Sequence, residues 1–223
     1  MNLLLKNLDF LWNKLKNFFL EHKRNFLLAV IFWLIAGVTY FISPHLIFLE
    51  PTEMPYTTID KMIPFWPFAI LIYGSLYFEI FFMFLVIRER KILWYFFSTY
   101  MIAGAILTAF YIFLPTIHKI PSPVGESANF LEYLVVLLRN IDISANQLPS
   151  GHAFYSMTGA FFLLELGNKK LGWFFFFWGF AICLSALLVK QHSIVDVGVG
   201  ILFASVLGNR RGNKAFWAMK RFG

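Results

Sequence analysis

Six stretches of the chain stay apolar for most of their length: residues 25–43, 65–87, 92–114, 153–167, 171–189 and 194–208. A helix that crosses a bilayer needs about 20 such residues, within a range of about 17–25. The first three and the fifth reach that length. The fourth and sixth are short and open on polar clusters, so both are expected to start at headgroup depth. Ahead of them Leu4, Leu8, Leu11, Trp12, Leu15, Phe18 and Phe19 recur at helical spacing, with Lys6, Asn13, Lys14 and Lys16 on the remaining positions. That pattern describes an amphipathic helix lying on the inner leaflet. A second stripe, Phe130, Leu131, Leu134, Val135 and Leu138, is too short to span and predicts an interfacial helix inside the longest connection, 115–149. The expected fold is all-α and integral to a membrane. It has an interfacial helix over residues 1–24, a bundle of six transmembrane helices over 25–208 and a basic tail over 209–223. No internal repeat or second domain is visible.

Charged residues make up 14% of the chain, against roughly a quarter in soluble domains. The net charge of +7 would suit nucleic acid if it formed one patch, but its distribution follows the spans. With the amino terminus inside, only Lys61, Lys119, Arg139 and Lys190 of the 19 Lys and Arg residues fall outside. This positive-inside bias makes both termini cytoplasmic. The basic turns then read as orientation signals and contacts with anionic membrane lipids, and no nucleic-acid partner is expected. A lone Cys183 offers no disulfide framework. The amino-terminal segment has no small-residue cleavage site and does not read as a removed signal. The Lys- and Phe-rich composition suggests a bacterial chain, hence a multi-pass inner-membrane protein.

In this topology the polar clusters converge on the outer, periplasmic face. The third span leaves towards His118 and Lys119, and the fourth enters at Pro149-Ser150-Gly151-His152. The fifth leaves at Lys190-Gln191-His192, and the sixth enters with Asp196. Ionisable groups at membrane depth are costly and are kept for function. Ser150 and Gly151 stand at a helix amino terminus, where unpaired N–H groups suit a phosphate; Ser150 also has the plain reading of an N-cap. His192 and Asp196, four residues apart, would share a face of one helix running through both. The carboxylate could then fix one ring nitrogen and leave the other free to attack phosphorus. His152 would protonate the leaving oxygen and later accept a proton from water. His118, Lys119 and Lys190 are the neighbouring groups able to contact phosphate, with headgroup contact and snorkelling as their plainer readings. Glu79, deep in the second span, reads as a protonated carboxyl bonded to a neighbouring helix. Gly198, Gly200, Ser205 and Gly208 read as small residues for close helix contact. A zinc ion held by His118, His152, His192 and Asp196 is the competing chemistry, but no compact ligand motif is present. No metal or other cofactor is expected.

Pro149-Ser150-Gly151-His152, followed forty residues later by His192 with Asp196, resembles the type 2 phosphatidic acid phosphatase superfamily. The resemblance implies a metal-independent, six-helix membrane phosphatase. It gives His192 as nucleophile, Asp196 as its orienting partner, His152 as general acid, and Ser150 and Gly151 as phosphate ligands. The chain departs from the family in two places. The first motif, a lysine with Arg-Pro seven residues on, is replaced by Pro115-Thr116-Ile117-His118-Lys119, and the arginine six residues before the histidine is absent, Ser185-Ala186 standing there. Lys190-Gln191-His192, Asp60, Ile63-Pro64-Phe65 and Tyr73 look like the branch that contains the inositol-phosphoryl-ceramide synthases. The expected function is hydrolysis of a lipid phosphate monoester or pyrophosphate through a phosphohistidine. Transfer of a phosphate or phospho-head group to a lipid or sugar hydroxyl is the alternative, and a non-enzymatic lipid carrier is the alternative of another class. Activity should fall at acidic pH, where the attacking nitrogen is protonated.

Overall fold

Helix α1 (Asn2–Ile42) runs unbroken from the amphipathic segment into the first apolar stretch. The two were expected as separate elements. Nothing between them caps or breaks a helix, and Asn25 sits at the junction as a buried tie. Its amide donates to the carbonyls of Phe84 and Ile87 at 2.7 and 2.6 Å, satisfying the end of another helix. The computed structural model describes residues 2–120, 124, 129–142 and 145–221, with backbone alone for residues 2–11, 15 and 19. The side chains of Leu4, Leu8, Leu11, Leu15 and Phe19 therefore lie outside the described residues.

The remaining helices are α2 (Thr58–Met62), α3 (Ala69–Gly74), α4 (Leu76–Val86), α5 (Arg90–Phe113), α6 (Phe130–Ile141), α7 (Gly151–Glu165), α8 (Lys169–Leu188) and α9 (Ile194–Lys220). Among the described residues, four helical segments are long and apolar enough to cross a membrane: Leu20–Leu46, Ala69–Val86, Arg90–Phe113 and Lys169–Leu188. They keep large apolar side chains on the outside, among them Leu34, Leu71 and Phe177, a surface suited to hydrocarbon and not to water. Ser75 marks the join of α3 and α4, where its hydroxyl donates to the Ile72 carbonyl and accepts from Trp178 Nε1 at 2.9 Å.

α7 is the central helix. At 1.5 Å per residue it is only about 22 Å long, yet nine of its residues, from Ala153 to Leu163, are buried. Enclosure by α4, α5, α8 and α9 removes the need for a lipid-facing length. α9 lies closest, through small residues spaced every four: Gly200, Ala204, Gly208 and Gly212. A Cβ added at Gly200, Gly208 or Gly212 would come within 2.8, 2.6 or 2.5 Å of the carbonyls of Ser150, Thr158 and Phe162. Of the small residues expected at this contact, Gly198 faces open space, and Ser205 returns its hydroxyl to Leu202 O. The helix does not end at Gly208. It continues to Lys220 and buries Ala215 in the core, so the basic segment is the last part of α9 and not a separate tail.

Glu79 is fully buried in α4, its Oε1 lying 3.0 Å from where a Cβ on Gly179 of α8 would be. At the end of the bundle that holds the polar clusters, β1 (Thr52–Glu53) pairs in parallel with β2 (Thr116–Ile117). Thr116 also bridges to Asn146, and its hydroxyl accepts from the Leu148 amide at 2.9 Å. These short pairings fix the segment that carries His118 against the entrance of α7.

Candidate active site

The start of α9 organises the site. Ser193 is its N-cap: Asp196 Oδ2 accepts from the Ser193 amide at 2.8 Å, and the Ser193 hydroxyl accepts from the Asp196 amide at 3.3 Å. This is a reciprocal capping box. His192 consequently stands outside the helix, before the cap, and does not share a helical face with Asp196 as expected. The cap folds the carboxylate back instead. It brings Asp196 Oδ2 within 3.6 Å of His192 Nδ1, a contact longer than a hydrogen bond.

The close partner of that carboxylate is His118. Its Nε2 donates to Asp196 Oδ2 at 2.6 Å, the direction being set because an ionised carboxylate only accepts. Burial opposes a charge on His118, but the hydrogen bond and the negative charge of Asp196 outweigh it and hold its pKa above the usual histidine value. One oxygen thus faces a backbone amide and two imidazoles, and Asp196 is wholly shielded from solvent.

Across the site, the His152 ring lies 6.2 Å from that of His192, centroid to centroid, and stacks on Tyr73 of α3 at 3.8 Å. Among the described residues His152 Nε2 is buried without a hydrogen-bond partner. Ser150 caps α7, its buried hydroxyl accepting from the Ala153 amide at 3.4 Å, while its own amide donates to the Asp196 carbonyl at 3.1 Å. Gly151 lets Tyr111 approach, since a Cβ would stand 3.3 Å from its hydroxyl. Ser150 therefore has the capping role, and it locks the starts of α7 and α9 together.

The cations separate. Lys119 is exposed and paired with Glu53 at 2.5 Å, so the structure does not bring it to the site; it sits one residue past His118, on the solvent side of the β2 segment. Lys190 is buried. Its ammonium donates to the carbonyls of Asp60, at 2.9 Å, and Ile63, and burial lowers its pKa against the opposing charge of Asp60. Asp60 in turn accepts from the Ile194 amide at 2.8 Å and from Thr57, tying α2 to the start of α9. Beside these groups a small cavity of about 90 Å³ is lined by His118, Ile120, Arg139, Asp142, Gln147, Lys190 and Gln191. Asp142 accepts from Gln191 Nε2 at 2.7 Å and from Tyr40. Among the described residues no three His, Cys, Asp or Glu side chains are grouped so as to hold a metal ion.

The structure thus brings His118, His152, His192 and Asp196 together and leaves Lys119 apart. Arg139 was read from the sequence only as an outer charge. The signal was nevertheless present, because Arg139 lies four residues after Val135, the fully buried position of α6, and so on the same inward face. Ser193 was equally legible as Ser-x-x-Asp ahead of an apolar run. Comparison of the chain with protein-family models, with curated proteins and with solved structures finds no match.

Proposed function

We propose that this chain is a six-span membrane enzyme that removes a phosphoryl group from a lipid phosphate or pyrophosphate through a phosphohistidine on His192. Both termini are cytoplasmic in this reading, and the site opens to the outer, periplasmic face of a bacterial inner membrane. The observation that carries it is Asp196 Oδ2 set between His118 and His192, with the free nitrogen of His152 opposite. Asp196 faces Nδ1 of His192, which leaves Nε2 as the attacking nitrogen. Its lone pair forms the N–P bond while the P–O bond to the lipid breaks, and His152 gives a proton to the departing oxygen. Water then attacks phosphorus, His152 takes back a proton, the N–P bond breaks and phosphate leaves. Resting contacts such as the 3.6 Å separation at His192 commonly tighten on substrate binding.

A second reading, transfer to a lipid or sugar hydroxyl in place of water, is favoured by one observation. Several residues that resemble the head-group-transferring branch take part in the site: Tyr73 stacks on His152, Asp60 holds α9 and Lys190, and Gln191 holds Asp142. The test is turnover of a lipid-phosphate panel by purified protein, with and without alcohol acceptors. His192→Ala should abolish phosphate release by at least about a hundredfold while the protein stays folded. A lipid carrier would show no release from the unaltered protein.

A further inference from the structure

The proposed reaction needs positive charge around the phosphate beyond the one proton that His152 passes to the leaving oxygen, and an attacking imidazole at His192 supplies none. We propose that Arg139, on the interfacial helix α6, is the principal phosphate-binding cation, with Lys190 and His118 beside it in the cavity of about 90 Å³. This assignment rests on the phosphoryl-transfer reading and adds a residue that the motif resemblance does not contain.

The guanidinium is already positioned. Arg139 donates from Nη2 to the Ile120 carbonyl at 2.7 Å and from Nη1 to the Lys190 carbonyl at 3.3 Å. A guanidinium has five N–H donors in a planar fork matched to phosphate oxygens, so three remain beyond these two bonds. Among the described residues Arg139 forms no ion pair with a carboxylate. The one acid on the cavity wall, Asp142, is held by Gln191 and Tyr40. Gln191 immediately precedes His192, and His118 on the same wall is hydrogen-bonded to Asp196, so the cavity is tied through its walls to both residues of the proposed reaction, although His192 is not one of its lining residues.

α6 also explains how a lipid would reach this place. Its inward face carries Val135 and Arg139, while Phe130, Tyr133, Leu137 and Ile141 are exposed along the other side. A helix with that division rests its apolar face on acyl chains. Arg139 then sits where the phosphate of a lipid meets the polar cavity. The chemistry recognised is a phosphate monoester dianion carried on an apolar tail.

The test uses the full chain purified in detergent, with inorganic phosphate and orthovanadate as probes and a lipid phosphate in mixed micelles as substrate. Phosphate should protect the protein against thermal unfolding. Arg139→Ala should weaken that protection at least about tenfold and raise KM for the lipid phosphate more than it lowers kcat. Arg139→Lys should restore part of the protection if the charge is used. Lys61→Ala, which removes a charge from the same end of the bundle, should change neither quantity. Unchanged protection and KM in both Arg139 variants would overturn the assignment, even if His192→Ala abolished turnover and so upheld the reaction. Weakened protection by inorganic phosphate with an unchanged lipid KM would mark a site for the free ion and also overturn it.

Discussion

His118 gains the most from the structure. In the sequence it is one of several polar residues beyond the third apolar stretch; in the fold it is the short-range partner of Asp196. A hydrogen bond to a charged group is worth about 1.5–3 kcal/mol, so His118 acts as a positioning residue for the carboxylate that faces His192. Its raised pKa fixes the sign of a pH effect. The stabilisation from the charged His118–Asp196 pair is complete below the unfolded histidine value, about 6.5, and is lost as pH rises through the higher folded value. The melting-temperature advantage of the unaltered protein over His118→Gln should therefore be largest near pH 6 and shrink towards alkaline pH. An advantage that grows with pH would contradict this ordering. His192, Asp196 and His152 were legible as residues because their spacing is specific. Their geometry was not, since the capping box that starts α9 at Ser193 decides which side of the helix start His192 occupies.

At the scale of elements, the contact between α7 and α9 holds the two polar clusters at one level. Small residues every four positions let the backbones approach until a Cβ on Gly200, Gly208 or Gly212 would overlap a carbonyl. Gly208→Val should lower the melting temperature, since overpacking of this kind costs about 1–3 kcal/mol. The change lies far from the histidines in sequence, so activity should fall in step with folded protein and KM should hold. Gly198→Val, at a position with open space, should leave melting nearly unchanged. The sequence showed small residues in this helix but not which of them face α7, because a four-residue spacing admits several faces until the neighbour is known. The stripe over residues 130–138 was read correctly as a helix, which the structure has as α6. The amphipathic start of α1 was read as helix but not as continuous with the first span, for local periodicity does not say where a helix ends when no cap or breaker intervenes.

At the scale of the molecule, four helices among the described residues have the length and apolarity to cross a bilayer, while the short α7 is sheathed by its neighbours and α9 lies against it. This arrangement puts the starts of α7 and α9 at the same end as the segment after β2, and it gathers the polar groups of three separate sequence clusters into one place. The apolar pattern displayed the helices and the convergence of their ends. It could not display the pairing of Lys119 with Glu53 or the burial of Lys190 against α2, because both depend on how the loops fold over the bundle. The central claim is that His192 becomes covalently phosphorylated. The direct measurement is rapid quenching of the purified protein with a radiolabelled lipid phosphate, followed by peptide mapping. An acid-labile, base-stable label on the peptide containing His192, absent from His192→Ala, is the expected result. Robust phosphate release with no label at His192 would contradict it.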